Sequence, residues 1–205
     1  NLITKLPKHN NFNFGVYFRT LNNNINDKSI LGNSTVISKD GNIGSTFYLN
    51  HRFRNSYDHN GDNFSELPSL NDNTFGANFF LKPTDNQKIE VNFSSLHEYR
   101  YGGEMINGAP HFAMQAEERI HDILMGNIDY NINFLSGKYS LLAYLAAQKT
   151  DREHYTGVRP DLGSDDDIAH LSNPPYGNSL NTTTQFGLQF NYKYNEWIGQ
   201  NIFTV

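Results

Sequence analysis

The sequence predicts an all-β protein, an antiparallel transmembrane β-barrel segment of the outer-membrane kind, and three observations predict it. About eight segments alternate apolar and polar residues with the two-residue period of a strand. The connections between them alternate in length: residues 55–72 are long and rich in Gly, Pro and Asp, 83–87 are tight, 101–118 long, 135–138 tight, 152–180 long and 195–199 tight. The sequence also lacks any run of about 20 apolar residues, so a membrane-crossing helix is not an option. Short turns on one rim and long loops on the other are the habit of transmembrane barrels. A soluble sandwich has no reason to sort its loops by length.

The elements follow in order. Residues 12–21 place Phe12, Phe14, Val16 and Phe18 on one face and Asn13, Gly15, Tyr17 and Arg19 on the other. Residues 29–38 form a more polar second strand, and Asp40-Gly41 in the next turn suits a hairpin because both positions tolerate positive φ. The third strand, 43–54, sets Phe47, Leu49 and Phe53 against Tyr48, Asn50 and Arg52. Residues 73–82 align Phe75, Ala77, Phe79 and Leu81, and 88–100 alternate Ile89, Val91 and Phe93 with Glu90, Asn92 and Ser94. Residues 120–134 alternate Leu124, Ile128, Tyr130, Ile132 and Phe134 with Asn127, Asp129, Asn131 and Asn133. Residues 138–150 are apolar on both faces near 141–147. The cleanest strand is 181–195, with Phe186, Leu188, Phe190, Tyr192 and Tyr194 on one side, and a ninth begins near Gln200.

Composition narrows the function. With no cysteine among 205 residues, structural disulfides and thiolate metal sites are excluded. A net charge of -5 with scattered Lys and Arg argues against a nucleic-acid partner. The mean hydropathy of -0.62 is low because only alternate residues of a barrel strand face lipid. The 15 Phe and 12 Tyr fit the aromatic girdles of a barrel at its two membrane interfaces. The chain begins at Asn1 without methionine or leader, which reads as a processed, trimmed or partial chain.

Three stretches resemble TonB-dependent outer-membrane receptors. Asn1-Leu2-Ile3-Thr4-Lys5-Leu6-Pro7 resembles the segment that leaves the plug domain and enters the first barrel strand. His97-Glu98-Tyr99-Arg100-Tyr101-Gly102-Gly103-Glu104 resembles a rim motif of the cobalamin, colicin and siderophore receptor branch, and Gln148-Lys149-Thr150-Asp151-Arg152 with Tyr155 and Gly157 resembles a later strand-to-loop motif. The resemblance implies that residues 1–11 end a plug or link it to the barrel and that 12–205 are the first part of a barrel of about 22 strands. It implies active import across the outer membrane of a Gram-negative cell, of a cobalamin-like ligand or a metal chelate such as a ferric siderophore or haem. Energy would come from the TonB complex acting through a plug outside this chain. The rival is a self-contained eight-stranded barrel with a structural or adhesive role.

No catalytic pattern competes with transport. The sequence has no G-x-S-x-G elbow, no H-E-x-x-H and no Walker lysine. Asp58, Asn60 and Asp62 stand at the first, third and fifth positions of a calcium loop, a Phe64 carbonyl at the seventh and Glu66 at the ninth. Against Ca2+ stand Asn63 where such a loop uses Gly and Ser69 where it uses a bidentate Glu; a solvated acidic loop gives the same pattern. Asp165-Asp166-Asp167 is a second acidic run, of a sort that is usually solvated. Arg100, Tyr101, Glu104, His111, Tyr155, Arg159 and Tyr176 fall in or beside the long loops, where aromatic and guanidinium groups suit a large conjugated or anionic substrate. Tyr at the membrane interface is the alternative for those nearest the rim.

Overall fold

The computed structural model describes residues 7–20, 26–196 and 199–204. Nine strands form one antiparallel sheet in chain order: β1 (Asn11–Arg19), β2 (Asp27–Ile37), β3 (Ile43–Arg54), β4 (Ser69–Thr84), β5 (Gln87–Gly103), β6 (Gln115–Phe134), β7 (Tyr139–Val158), β8 (Tyr176–Glu196) and β9 (Gly199–Thr204). Each strand pairs only with its chain neighbours, and the sheet is not closed: among the described residues β1 and β9 each have a partner on one side. The all-β expectation stands as this open antiparallel sheet. The plug-like segment 1–6 lies outside the described residues, and Asn10, just ahead of β1, accepts a 2.7 Å hydrogen bond from the Ile37 amide.

The register carries one apolar face across the sheet. Val16 stands opposite Ile30, Leu49 opposite Phe75, Phe79 opposite Val91, Val91 opposite Ile128, Ile128 opposite Leu145 and Leu145 opposite Phe186. Nothing in the sheet covers these side chains: Phe186 is 83% exposed and Phe12 72%. The other face is polar, with Thr35 and Thr46 sharing a 3.1 Å hydrogen bond and Asn78 bonded to Asn92.

Both kinds of connection are present. Residues 38–43 close the β2–β3 hairpin: Asp40 accepts from the Ser38 hydroxyl at 2.5 Å and the Asn42 amide at 3.2 Å, and Gly41 takes φ 73°. Residues 135–138 close β6–β7 with Leu135, Ser136 and Gly137 all at positive φ. The long loops 55–68, 104–114 and 159–175 lie together at the opposite end of the sheet.

The strands run further towards that end than alternating hydrophobicity indicates. β5 continues to Gly103, β6 starts at Gln115, β7 continues to Val158 and β8 starts at Tyr176, so Tyr101, Tyr155 and Tyr176 are strand residues, not loop residues. The reason is physical. Where both faces turn polar the apolar alternation disappears from the sequence, yet the backbone ladder needs only partners, and Gly102–Glu117–Thr156 continues it.

Glycines fix how side chains lie on the polar face. Phe80 lies against Gly44, Tyr48 against Gly76, Tyr144 against Gly187 and the His154 ring against Gly177, each pair directly opposite across two strands. A Cβ on Gly76 would come within 2.1 Å of the Tyr48 ring. Gly103 is a harsher case, because φ is 108° and a Cβ would sit 2.3 Å from the Gln115 carbonyl oxygen.

Gly103→Ala should therefore destabilise the protein by about 2 kcal/mol or more, since backbone strain and a backbone clash combine. Gly76→Ala should cost less than about 1.5 kcal/mol and should be relieved in the Tyr48→Ala background, because a ring can swing aside. Urea unfolding midpoints read both; equal costs at the two glycines would contradict this ranking.

Candidate functional site

The long-loop end carries two arrangements on opposite faces of the sheet. On the apolar face, the row Tyr101, Glu118, Tyr155 and Tyr176 runs across β5 to β8, with Ala116 in the next row out. Loops 104–114 and 159–175 fold over this row, and Tyr155 and Ala113 become fully buried. The Tyr101 hydroxyl donates to the Glu104 carbonyl at 2.6 Å, and the Glu104 carboxylate accepts from the Met114 amide at 2.5 Å. Tyr99 donates to Glu118 at 3.1 Å, its pKa pushed up to about 12 by burial first and the Glu118 charge next. Burial also raises Tyr101, Tyr155 and Tyr176, so all four hydroxyls stay protonated at neutral pH.

A short helix α1 (Asp165–Ser172) holds the last loop down. Ser164 caps it, accepting from the Asp167 amide at 3.0 Å, and the three aspartates fill its first turn, where the helix dipole favours negative charge. Asp167 is buried and bound by both arms of Arg159, Nε to Oδ1 at 2.6 Å and Nη2 to Oδ2 at 3.1 Å. Arg159 Nη1 also donates to the Phe112 carbonyl at 3.2 Å, tying this loop to its neighbour. The Arg159 hydrogen bonds, and then the Gly163 amide, hold the Asp167 carboxyl below its usual range. His170 Nε2 lies 3.2 Å from both the Tyr155 hydroxyl and the His111 carbonyl, while His111 Nδ1 lies 2.9 Å from the Tyr176 hydroxyl. Burial lowers the His111 pKa, with the His170 and Arg159 charges adding to it.

On the polar face, loop 55–68 leans over the outer ends of β5 to β7. Its Ser65 amide donates to the Gly103 carbonyl at 2.9 Å and its Ser65 hydroxyl accepts from the Gly103 amide at 3.0 Å. Under it lies a groove of about 650 Å³ lined by Phe64, Arg100, Gly102, Glu117, Arg119 and Thr156, among others. Arg100 bonds Glu98 at 2.9 Å and Arg119 pairs with Glu117, each two residues back on its own strand.

The structure thus divides the seven expected substrate contacts. Tyr101, Glu104, His111, Tyr155, Arg159 and Tyr176 come together on the apolar face as the fastening of two loops, and Arg100 alone opens into the groove. Tyr155, 0% exposed, and Tyr101, 9% exposed, have their ring faces covered by other side chains in this structure. The Asp165–Asp167 run is a helix start and not a free acidic patch; Gly163-Ser164 followed by three acids is the capping signal that marks it. Arg119 is the groove residue that sequence reasoning missed. Its signal was the alternation Glu117, Arg119, His121, which continues β6 back into the stretch taken as loop.

In loop 55–68 the calcium-like residues bind their own backbone. Asp58 accepts from the Gly61 amide at 2.6 Å and the Asn63 amide at 2.8 Å, Asn60 from the Asp62 amide at 3.1 Å, Asp62 from the Phe64 amide at 2.8 Å and Glu66 from the His59 amide at 2.6 Å. Gly61 and Asn63 take the positive φ these turns need, and Asn at the sixth position serves in place of Gly. Among the described residues no group of three or more His, Cys, Asp or Glu could hold a metal ion.

Two outcomes are expected. Asp167→Ala should speed amide exchange across residues 159–175 on the order of tenfold, read by hydrogen-exchange mass spectrometry. Because the folded Asp167 pKa is lowered, its contribution is present above the free carboxyl value of about 4 and is lost only as pH falls through the folded value. Protection of the wild-type loop should hold down to about pH 4 and fall below it. Residues 58–66 of the wild type should exchange equally in EDTA and in calcium, and Asp58→Ala should loosen them in both; wild-type protection gained only in calcium would make an ion the anchor.

No protein-family model, curated protein or solved structure matches this chain, so its function has to be read from its own residues.

Proposed function

We propose that this chain is barrel wall and outer loops of an outer-membrane active-transport receptor of the TonB-dependent type, importing a scarce nutrient such as cobalamin, a ferric siderophore or haem. The observation that carries the reading is the continuous apolar face of the sheet, bounded at both ends in the way a bilayer requires. On β6 it runs from Leu124 to Phe134, which at about 3.4 Å per residue and a tilt of about 40° rises roughly 26 Å, close to the lipid-facing band of a barrel.

At the short-turn end that band finishes in aromatics. Tyr139 and Tyr192 stack at 4.9 Å, and the Lys138 ammonium sits 5.8 Å and 5.5 Å from their ring centres. Amphipathic rings with a cation beside them suit a headgroup layer. At the long-loop end the band stops at a polar row, His51 bonded to Asn73 and His97 to Asp122, both at 2.7 Å. Beyond it β5 to β8 project outwards with the loops. A self-contained small barrel would pair its first strand with its last, and β1 and β9 are not paired among the described residues. More strands on either side give both edges a partner and satisfy the backbone in lipid.

In the receptor mechanism the loops and the polar face capture the nutrient, and the TonB complex moves a plug to open the path. No helix of the described residues is long and apolar enough to cross a membrane, so in this reading strands alone meet the lipid.

The 205 residues alone should refold into detergent or lipid and not into a monodisperse, cooperatively melting species in plain buffer; such a species would end the membrane reading. In cells, deletion of the gene should abolish uptake of one among labelled cobalamin, ferric siderophore and haem. Normal uptake of all three, with glycans tested alongside, would remove the transport role.

A further inference from the structure

The groove on the polar face holds an unusual juxtaposition. Arg100 on β5 and Arg119 on β6 stand directly opposite each other in the sheet register, and His154 on β7 stands opposite Arg119. Directly opposed residues have Cβ atoms about 4.5–5.5 Å apart, and like charges in that position repel. Leu70, the neighbour of Arg100 on its other side, is uncharged.

The carboxylates nearby do not spend these guanidiniums. Glu98 and Glu117 each reach one arm of one arginine from along the same strand, and both arginines remain about half exposed, at 48% and 52%. Exposed ion pairs of this kind contribute little and yield to a better acceptor. Glu117 is the carboxylate of the groove lining, Glu98 holds Arg100 from just outside it, and Asp72, opposite Glu98 on the same face, adds a third charge near Arg100. The floor is low because Gly102 carries no side chain, and a Cβ there would already lie 3.3 Å from Pro68. The Thr156 hydroxyl stands opposite Glu117 in the register and adds a neutral donor to the lining.

We propose that this groove is an oxyanion-binding site, in which Arg100 and Arg119 together take a carboxylate or phosphate group of a small molecule. Two planar forks one strand apart match the oxygens of one such group, and a bound anion turns their mutual repulsion into attraction. The site deepens the receptor function above and rests on it for access, since the polar face must line a lumen open to the outside. It names the substrate class as an anionic nutrient or chelate, with Arg119 as a contact beside Arg100.

Phenylglyoxal labelling of the protein purified from outer membranes, mapped by peptide mass spectrometry, tests this. Sodium pyrophosphate and sodium citrate are each compared with sodium chloride at equal ionic strength. Pyrophosphate or citrate should slow modification of Arg100 and Arg119 about tenfold and leave Arg19, on the same face at β1, unchanged. Protection by citrate alone makes the group a carboxylate, and by pyrophosphate alone a phosphate. Arg119→Lys, which keeps the charge and loses the fork, should weaken protection at Arg100 about tenfold. Equal rates in all three salts overturn the site. Intact nutrient uptake without protection removes the site and leaves the receptor; protection without uptake removes the receptor and leaves the site.

Discussion

Everything in this molecule depends on one unbroken backbone register. From β1 to β8 each residue is paired across the sheet with a partner on the same face, and the irregularity at Leu81–Thr84 sits beside a tight turn where it disturbs nothing. A slip of one residue in any strand would exchange its Phe and Leu for Asn and Asp on the apolar face. The tight turns at 38–43 and 135–138 set this register, because their positive-φ residues admit few strand pairings. Apolar face, polar face and groove are consequences of that alignment.

The two ends of the sheet are stabilised differently. Near the short turns order comes from local hydrogen bonds and stacked rings, such as Asp40 within its hairpin and Tyr139 on Tyr192. Near the long loops it comes from contacts between segments distant in the chain. Arg159 joins Asp167 to Phe112, and His111 meets Tyr176 across 65 residues. A loop built this way keeps its shape without a large core, since each buried donor or acceptor has a partner whose loss would leave it stranded.

What could be read in the sequence follows the same division. Strand number, hairpin order and the identity of the apolar face are written in residues such as Phe75, Ala77, Phe79 and Leu81, because a strand with one apolar and one polar face needs a period of two. β3 came out at 43–54, as in the structure, since its turn carries Asp-Gly and its end carries Arg54. The outer ends of β5 to β8 were invisible, from a few residues on β5 to residues 151–158 on β7, because residues such as Glu117 and Thr156 pair through backbone and alternate nothing apolar. The groove was half visible: Arg100 belonged to a recognisable motif, whereas Arg119 acquires meaning only when the register sets it opposite. Helix α1 was legible in principle from Ser164, yet three adjacent aspartates looked like solvated charge.

The rings laid over glycines on the polar face carry a consequence for how this wall can change over time. Tyr48 with Gly76, Phe80 with Gly44, Tyr144 with Gly187 and His154 with Gly177 are two-locus units, each ring occupying the volume that its glycine leaves free. Enlarging the glycine displaces the ring, and shrinking the ring exposes bare backbone. A change at either locus is eased when the other follows, so the contour of the polar face is inherited in linked pairs while the apolar face is free to exchange one apolar residue for another.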